Sequence, residues 1–260
     1  MALVAKEVDG FVHQLTLHDP ARRNALSAVL LDELTGALRQ SAQDGCRVLI
    51  LRALPVQGVW SAGHDIDELP HGERDPLTWD NPLEAALRAV RDAPFPVIAQ
   101  VDGSVWGGAC DLAITCDLLI AVRSATFAIT PARLGIPYNT AGVAHFVSAL
   151  PVHVAKEMFF TADPVPAERL ADFGVVNRLA EDGSSAQAEV RVIADRISAL
   201  APLAIRAIKA EITSLTEARS LTSENFERLN SLRSRAWTSS DYQEGITAFK
   251  EKRSAHFTGT

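Results

Sequence analysis

The stretch Val97–Asp117, VIAQVDGSVWGGACDLAITCD, constrains this chain more than any other. Val97 to Val101 reads as an apolar strand, a glycine-bearing turn follows, and a helix opens at Gly107-Gly108. Two adjacent glycines weaken a helix start, because glycine has the most backbone freedom to lose. They make sense where the backbone must come close to a ligand. The first N–H groups of a helix have no partner within it and lie at the positive end of its dipole, so they receive negative charge. Tight packing of helix on strand is the blander reading of a lone glycine pair. A second stretch, Val59–Ile66 (VWSAGHDI), narrows the choice, because it too ends an apolar run in a small, glycine-containing turn. Two such turns can supply two backbone donors to one oxygen, the design of an oxyanion hole.

Charge and cysteine usage narrow the partners. A net charge of −7 argues against nucleic acid or an anionic membrane surface as the ligand. The opening MALVAKEVDG lacks the long apolar core of a signal peptide, and no apolar run approaches the length of a membrane span. The three cysteines, Cys46, Cys110 and Cys116, are scattered, as free thiols in a reducing cytoplasm would be. None forms a cysteine–histidine cluster with zinc spacing, so no metal is expected.

Read in order, Leu3 to Val8 and Phe11 to Leu17 flank Asp9-Gly10 as a hairpin. Ser27 is placed to cap a helix to about Gln43, with Val29, Leu30, Leu34, Ala37 and Leu38 at helical spacing. Val48 to Leu51 is a buried strand, and residues 67–82 (DELPHGERDPLTWDNP) read as a long loop. Leu83 to Arg91 is helical, and strands follow at Leu118 to Val122 and Thr126 to Ile129. TPARLGIPYNTAG is a shaped loop, and helices run from about Ala141 to Ala149, Val152 to Phe160 and Pro166 to Phe173. Val175 to Asn177 is a short strand, and from Ser185 the pattern is almost wholly helical, with Ser223 as a cap. This alternation predicts an α/β core of about 190 residues followed by a helical section.

Together SAGHDI, GSVWGGACDL and CDLLIA resemble the crotonase (enoyl-CoA hydratase/isomerase) superfamily. RRNAL (22–26), Thr161-Ala162-Asp163, APLAIRAIK (201–209) and DYQEGITAFKEKR (241–253) extend the likeness over nearly the whole chain. The resemblance implies a spiral of ββα turns over residues 1–195 and C-terminal helices over 196–260 that assemble trimers or dimers of trimers. It implies an acyl-CoA thioester as ligand, with CoA entering as part of the substrate and no separate cofactor. The oxyanion donors would be the N–H groups of His64 and Gly108. The acyl-CoA contact positions would be Arg23, Ala25, Ala62, Asp65, Ile66, Trp106, Gly107, Pro131, Ile136 and Lys252. Other readings stay open for some of these. Arg23 and Lys252 serve equally as surface charges, Asp65 as the cap of a short helix, and Trp106 as a core residue.

Hydratases of this superfamily use two glutamates to move protons. The first of those positions here is Asp111 and the second is Pro131, which cannot transfer a proton. GHDIDELP, SVWGG and TPARLGIPYN instead resemble a branch that decarboxylates methylmalonyl thioesters. Such a reaction needs no general base, because breaking the C–C bond sends its electrons into the thioester as an enolate. Tyr138 would turn the leaving carboxylate out of the thioester plane, with Thr130 as second candidate, and Trp106 or Ile136 would give an apolar wall. The proton donor is open between Tyr138, Thr130 and water. Two alternatives stand beside this reading: a hydratase or isomerase working through Asp111 alone, and an acyl-CoA-binding scaffold without chemistry.

Overall fold

The computed structural model describes residues 2–69, 75, 77, 78, 80–217 and 223–259. Strands β1 (Val4–Asp9) and β2 (Val12–Leu17) form the expected antiparallel hairpin, with Gly10 at positive φ in its turn. Helix α1 (Ala28–Gln43) starts where Ser27 Oγ accepts the Leu30 N–H at 3.3 Å. Its buried side is Leu30, Leu31, Leu34 and Leu38, whereas Val29, expected on that side, points outward at 59% exposure. At about 3.6 residues per turn, positions 30, 31, 34 and 38 cluster on one face and position 29 falls on the opposite one.

The next segments repeat a strand pair followed by a helix. They are β3 (Val48–Ala53), β4 (Val59–Ser61) and α2 (Pro82–Arg91); β5 (Val97–Val101), β6 (Ser104–Trp106) and α3 (Gly108–Thr115); and β7 (Leu118–Val122), β8 (Thr126–Ala128) and α4 (Thr140–Ala149). In each repeat the longer strand joins one sheet and the shorter strand another, which gives the chain its ββα spiral. After α5 (Val152–Thr161) come β9 (Val165–Pro166), α6 (Ala167–Asp172) and β10 (Arg178–Ala180). The last strand therefore begins one residue after the expected segment 175–177, where Asn177 instead uses its side chain to accept the Leu119 N–H. The six-stranded sheet runs β1-β2-β3-β5-β7-β10 and the four-stranded one β4-β6-β8-β9. Beyond β1, every pairing in the larger sheet is parallel. Its central strands are buried on both faces, which is why β5 reads as an almost continuous apolar run.

The helical section begins with α7 (Gly183–Ser198), which lies across β3, β5 and β7 and spans residue 195. Helices α8 (Pro202–Glu217), α9 (Ser223–Trp237) and α10 (Ser240–Lys250) follow. Lys209 anchors α8 from a buried position, donating to the carbonyls of Val90 and Phe95, both at 3.0 Å, and to Asp117 Oδ2 at 2.7 Å. Helix α10 packs on the short helical turn Pro131–Leu134, and a side chain at Gly245 would overlap the Leu134 backbone. Its Tyr242 and Ile246 form a second apolar cluster with Leu69 and Ile136, so the C-terminal section also supports the core.

Candidate active site

Strands β4 and β6 are parallel neighbours in the smaller sheet, so the turns that leave them emerge side by side. Gly63 has φ +85°, and a Cβ there would overlap the Trp106 carbonyl. Gly107 has φ +52° with ψ −123°, a backbone conformation that only glycine adopts at low cost. A Cβ on Gly108 would stand 3.9 Å from the His64 nitrogen, which places the two residues' backbones together. The Gly107 N–H goes to Ala128 O at 2.8 Å and the Asp65 N–H to Leu26 O at 3.5 Å. Among the described residues, no protein acceptor takes the N–H of His64 or Gly108, and both residues line one cleft.

The cleft wall is mostly aliphatic: Ala62, Ile66, Leu69, Leu77, Leu83, Leu134 and Ile136, with Pro131 and Gly107. Leu83 closes over Gly108, its Cδ2 2.6 Å from where a Cβ would stand. Thr130, Tyr138 and His64 are the polar side chains on the wall, and no carboxylate joins them among the described residues. Thr130 follows β8 and leads into the 131–134 turn without capping it, and among the described residues no hydrogen bond engages its hydroxyl. Burial pushes the His64 imidazole below its ordinary pKa, against the opposing pull of the Glu68 and Asp65 carboxylates. Its ring is therefore neutral at pH 7, and Nδ1 has no partner among the described residues.

Tyr138 is held from three sides. Its ring meets Phe146 edge-on at 6.2 Å and Phe159 at 5.5 Å between centroids. Gly142, one turn into α4, leaves the space its ring occupies, since a Cβ there would overlap it. The Tyr138 hydroxyl donates to Asp111 Oδ2 at 2.9 Å, and Asp111, on α3, is 1% exposed. Burial, with the Asp111 charge beside it, raises the phenol well above its usual range and keeps it protonated. Asp111 Oδ1 faces His145 Nδ1 at 3.1 Å, and His145 Nε2 meets Arg91. Nearby, Asn139 caps α4 and donates to Glu84 Oε1 at 2.6 Å.

Of the residues the sequence singles out, His64, Gly107, Gly108, Ala62, Ile66, Thr130, Pro131, Ile136 and Tyr138 converge on the cleft. Five others lie elsewhere. Trp106 is not the wall the sequence suggests: Val105 takes the buried side of β6 and Trp106 the opposite one, where its indole donates to Ser104 Oγ at 3.0 Å. Asp65 caps the short turn Ile66–Glu68 and pairs with Arg22 at 2.6 Å. Ala25 is buried, while Arg23 and Lys252 are exposed with φ of 51° and 55°. Pro70–Arg74, Pro76 and Trp79 of the expected 67–82 loop lie outside the described residues. His145, Arg91 and Glu84 are additions that the sequence does not point to. Only the packing of α2, which carries Glu84 and Arg91, and of α4, which carries His145, around α3 brings them together, and neither leaves a local motif.

Comparison with known proteins places this geometry in a family. The enoyl-CoA hydratase/isomerase family model matches residues 7–260. Methylmalonyl-CoA decarboxylase of Escherichia coli is 43% identical over 236 residues, covering 91% of this chain and 90% of that one. Human enoyl-CoA hydratase domain-containing protein 2, a mitochondrial protein, is 31% identical over 96% of this chain and 87% of its own length. A solved methylmalonyl-CoA decarboxylase in complex with 2-nitronate-propionyl-CoA superposes with a TM-score of 0.96 at 40% identity, covering 99% of both chains. A second, complexed with 2S-carboxypropyl CoA, gives 0.96 at 40% identity over 99% of this chain and 98% of its own. The chain belongs to the enoyl-CoA hydratase/isomerase, or crotonase, family.

Proposed function

We propose that this chain removes CO2 from methylmalonyl-CoA and releases propionyl-CoA. The observation that carries the reading is the pair of unengaged N–H groups on His64 and Gly108, in a cleft whose described wall holds no carboxylate. The thioester oxygen sits between those donors. As the C–C bond breaks, its electron pair moves into the thioester, and the charge that gathers on the oxygen meets two fixed dipoles. Each such donor is worth about 3–4 kcal/mol of barrier. CO2 leaves neutral, and the aliphatic wall around Ile136 favours a neutral product over the carboxylate it came from. A neutral His64 ring adds no cation that would stabilise that carboxylate. The Thr130 hydroxyl, unengaged among the described residues, is assigned to turning the carboxylate out of the thioester plane. The enolate carbon then takes one proton, from solvent water, to become propionyl-CoA; the reaction is redox-neutral, and CoA is carried by the substrate.

Hydratase chemistry is less well supported. Asp111 lies behind Tyr138 with both oxygens engaged, and Pro131 stands where a second acid would be needed. Arg23 and Lys252 are proposed to meet the phosphates of CoA. The helices after residue 195 are proposed to assemble trimers or paired trimers, because α8 leaves Leu203 and Leu215 each 78% exposed and Ile208 and Ile212 more than half exposed. Unpaired Cys46, Cys110 and Cys116 suit a reducing cytoplasm.

The test is a parallel assay of methylmalonyl-CoA and crotonyl-CoA with thioester products followed by mass. Propionyl-CoA from the first and no hydration of the second is the expected result. Hydration of crotonyl-CoA alone would overturn the assignment, and binding without turnover of either would favour a scaffold.

A further inference from the structure

The Tyr138 hydroxyl has one proton, and the geometry around Asp111 fixes where it points. An ionised carboxylate accepts only, so the proton in the 2.9 Å contact is the tyrosine's. On the far side, a guanidinium has only donors, so His145 Nε2 facing Arg91 is an acceptor. The ring proton is then on Nδ1, donated to Asp111 Oδ1 at 3.1 Å. Thr115 Oγ1 adds a longer contact to the same oxygen at 3.4 Å. Asp111 is thus a buried anion on which donors converge from α3, from α4 and from Tyr138.

We propose that Asp111, held by His145, is a positioning residue that draws the Tyr138 hydroxyl proton away from the cleft, so that the substrate's leaving carboxylate faces oxygen lone pairs there and not a donor. This rests on the decarboxylase reading above. The carboxylate is the group whose charge disappears as CO2 forms, and a second donor to it, beyond the Thr130 hydroxyl that orients it, would stabilise the ground state more than the transition state. Withholding that donor raises the bound substrate towards the transition state, in which the charge has moved to the oxygen between His64 and Gly108. No proton moves in this step: the C–C bond breaks, its electron pair enters the enolate, and neutral CO2 departs. His145 acts at a distance, since it lines a separate cavity between α3, α4 and α8 and not the substrate cleft.

The test compares two CoA thioethers that differ only in the carboxylate, 2-carboxypropyl-CoA and propyl-CoA, by titration calorimetry. In Asp111→Asn the amide donates to the tyrosine oxygen, which frees the Tyr138 proton for the cleft. Binding of 2-carboxypropyl-CoA should tighten about tenfold relative to propyl-CoA, with kcat on methylmalonyl-CoA falling by a similar factor and KM falling with it. His145→Ala should move the binding ratio in the same direction. His145→Asn, which keeps a donor near the place of Nδ1, should restore it. Tyr138→Phe gives an independent sign: removing the hydroxyl should not weaken 2-carboxypropyl-CoA. An unchanged ratio in Asp111→Asn, or selective weakening of 2-carboxypropyl-CoA in Tyr138→Phe, overturns the proposal. A wild type that binds both thioethers but does not decarboxylate methylmalonyl-CoA counts against the function, while the ratio still decides the role of Asp111. If the wild type binds neither thioether, both readings fail.

Discussion

The two sides of helix α3 hold their polar groups in different ways. On the cleft side, the donors are backbone N–H groups of His64 and Gly108, fixed by two turns that leave parallel strands. They cannot titrate or rotate, and glycine is required because the turns pass too close for side chains. Behind them, Asp111, His145 and Arg91 are side chains whose protons are shared along a chain of contacts. The first region supplies constant stabilisation where charge arrives. The second sets the direction of a single movable proton where charge departs. A site that pairs the two breaks the C–C bond with no acid or base on its wall, and only the later protonation of the enolate calls for a proton source.

The largest loss of activity is expected from the backbone. Gly108→Pro deletes one donor outright and should lower kcat by about 10²–10³-fold, measured with circular dichroism to confirm folding. Retention of wild-type turnover by the folded variant would remove the oxyanion hole from the mechanism. Gly63→Ala tests the fixation and not the donor. Strain at φ +85° and overlap with the Trp106 carbonyl should cost about 1–3 kcal/mol of stability, seen as a lowered denaturant midpoint.

Side-chain changes should be milder. Thr130→Val removes the free hydroxyl and should raise KM for methylmalonyl-CoA by about tenfold, with binding of propyl-CoA unchanged. Tyr138→Phe should lower kcat by roughly tenfold or less and leave acyl-CoA binding intact; an unchanged kcat would separate the rear network from the chemistry. The smallest effect is expected from pH. With His64 held neutral by burial and Tyr138 held protonated, neither changes charge between about pH 6.5 and 8.5, so kcat should vary less than about twofold across that range. Protonation of His64 at lower pH would place a cation near the departing carboxylate and slow the reaction. A rise in kcat on acidification would contradict the role given to its neutral ring.

The helical section sharpens the same contrast on a larger scale. The core elements from Val4 to Ala128 follow patterns that two or three turns of sequence announce: Asp9-Gly10 at the hairpin, Ser27 at a helix start, apolar runs in buried strands. Helices α8 and α10 are equally visible as helices, but their tasks are not. Lys209 reads as one more charge on an amphipathic helix until its ammonium is found among the carbonyls of Val90 and Phe95. Gly245 and Tyr242 give no sign that α10 will support the turn that carries Pro131 and leads to Ile136.

The sequence alone marked the two glycine turns and hence the backbone N–H groups proposed as oxyanion donors, because φ > 0 and a close backbone approach are demands that only glycine meets cheaply. It also excluded Pro131 as a proton carrier, which is a property of the residue and needs no neighbours. Only the tertiary structure decided what surrounds those donors. Strand alternation turns Trp106 to the side opposite Val105 and leaves the cleft wall to aliphatic residues from the segment after β4, from α2 and from the 131–136 segment. The pairing of Asp111 with Tyr138 and His145 joins residues 27 and 34 positions apart. Such contacts depend on how α4 packs on α3, and packing is set by the whole core, so no local pattern records them.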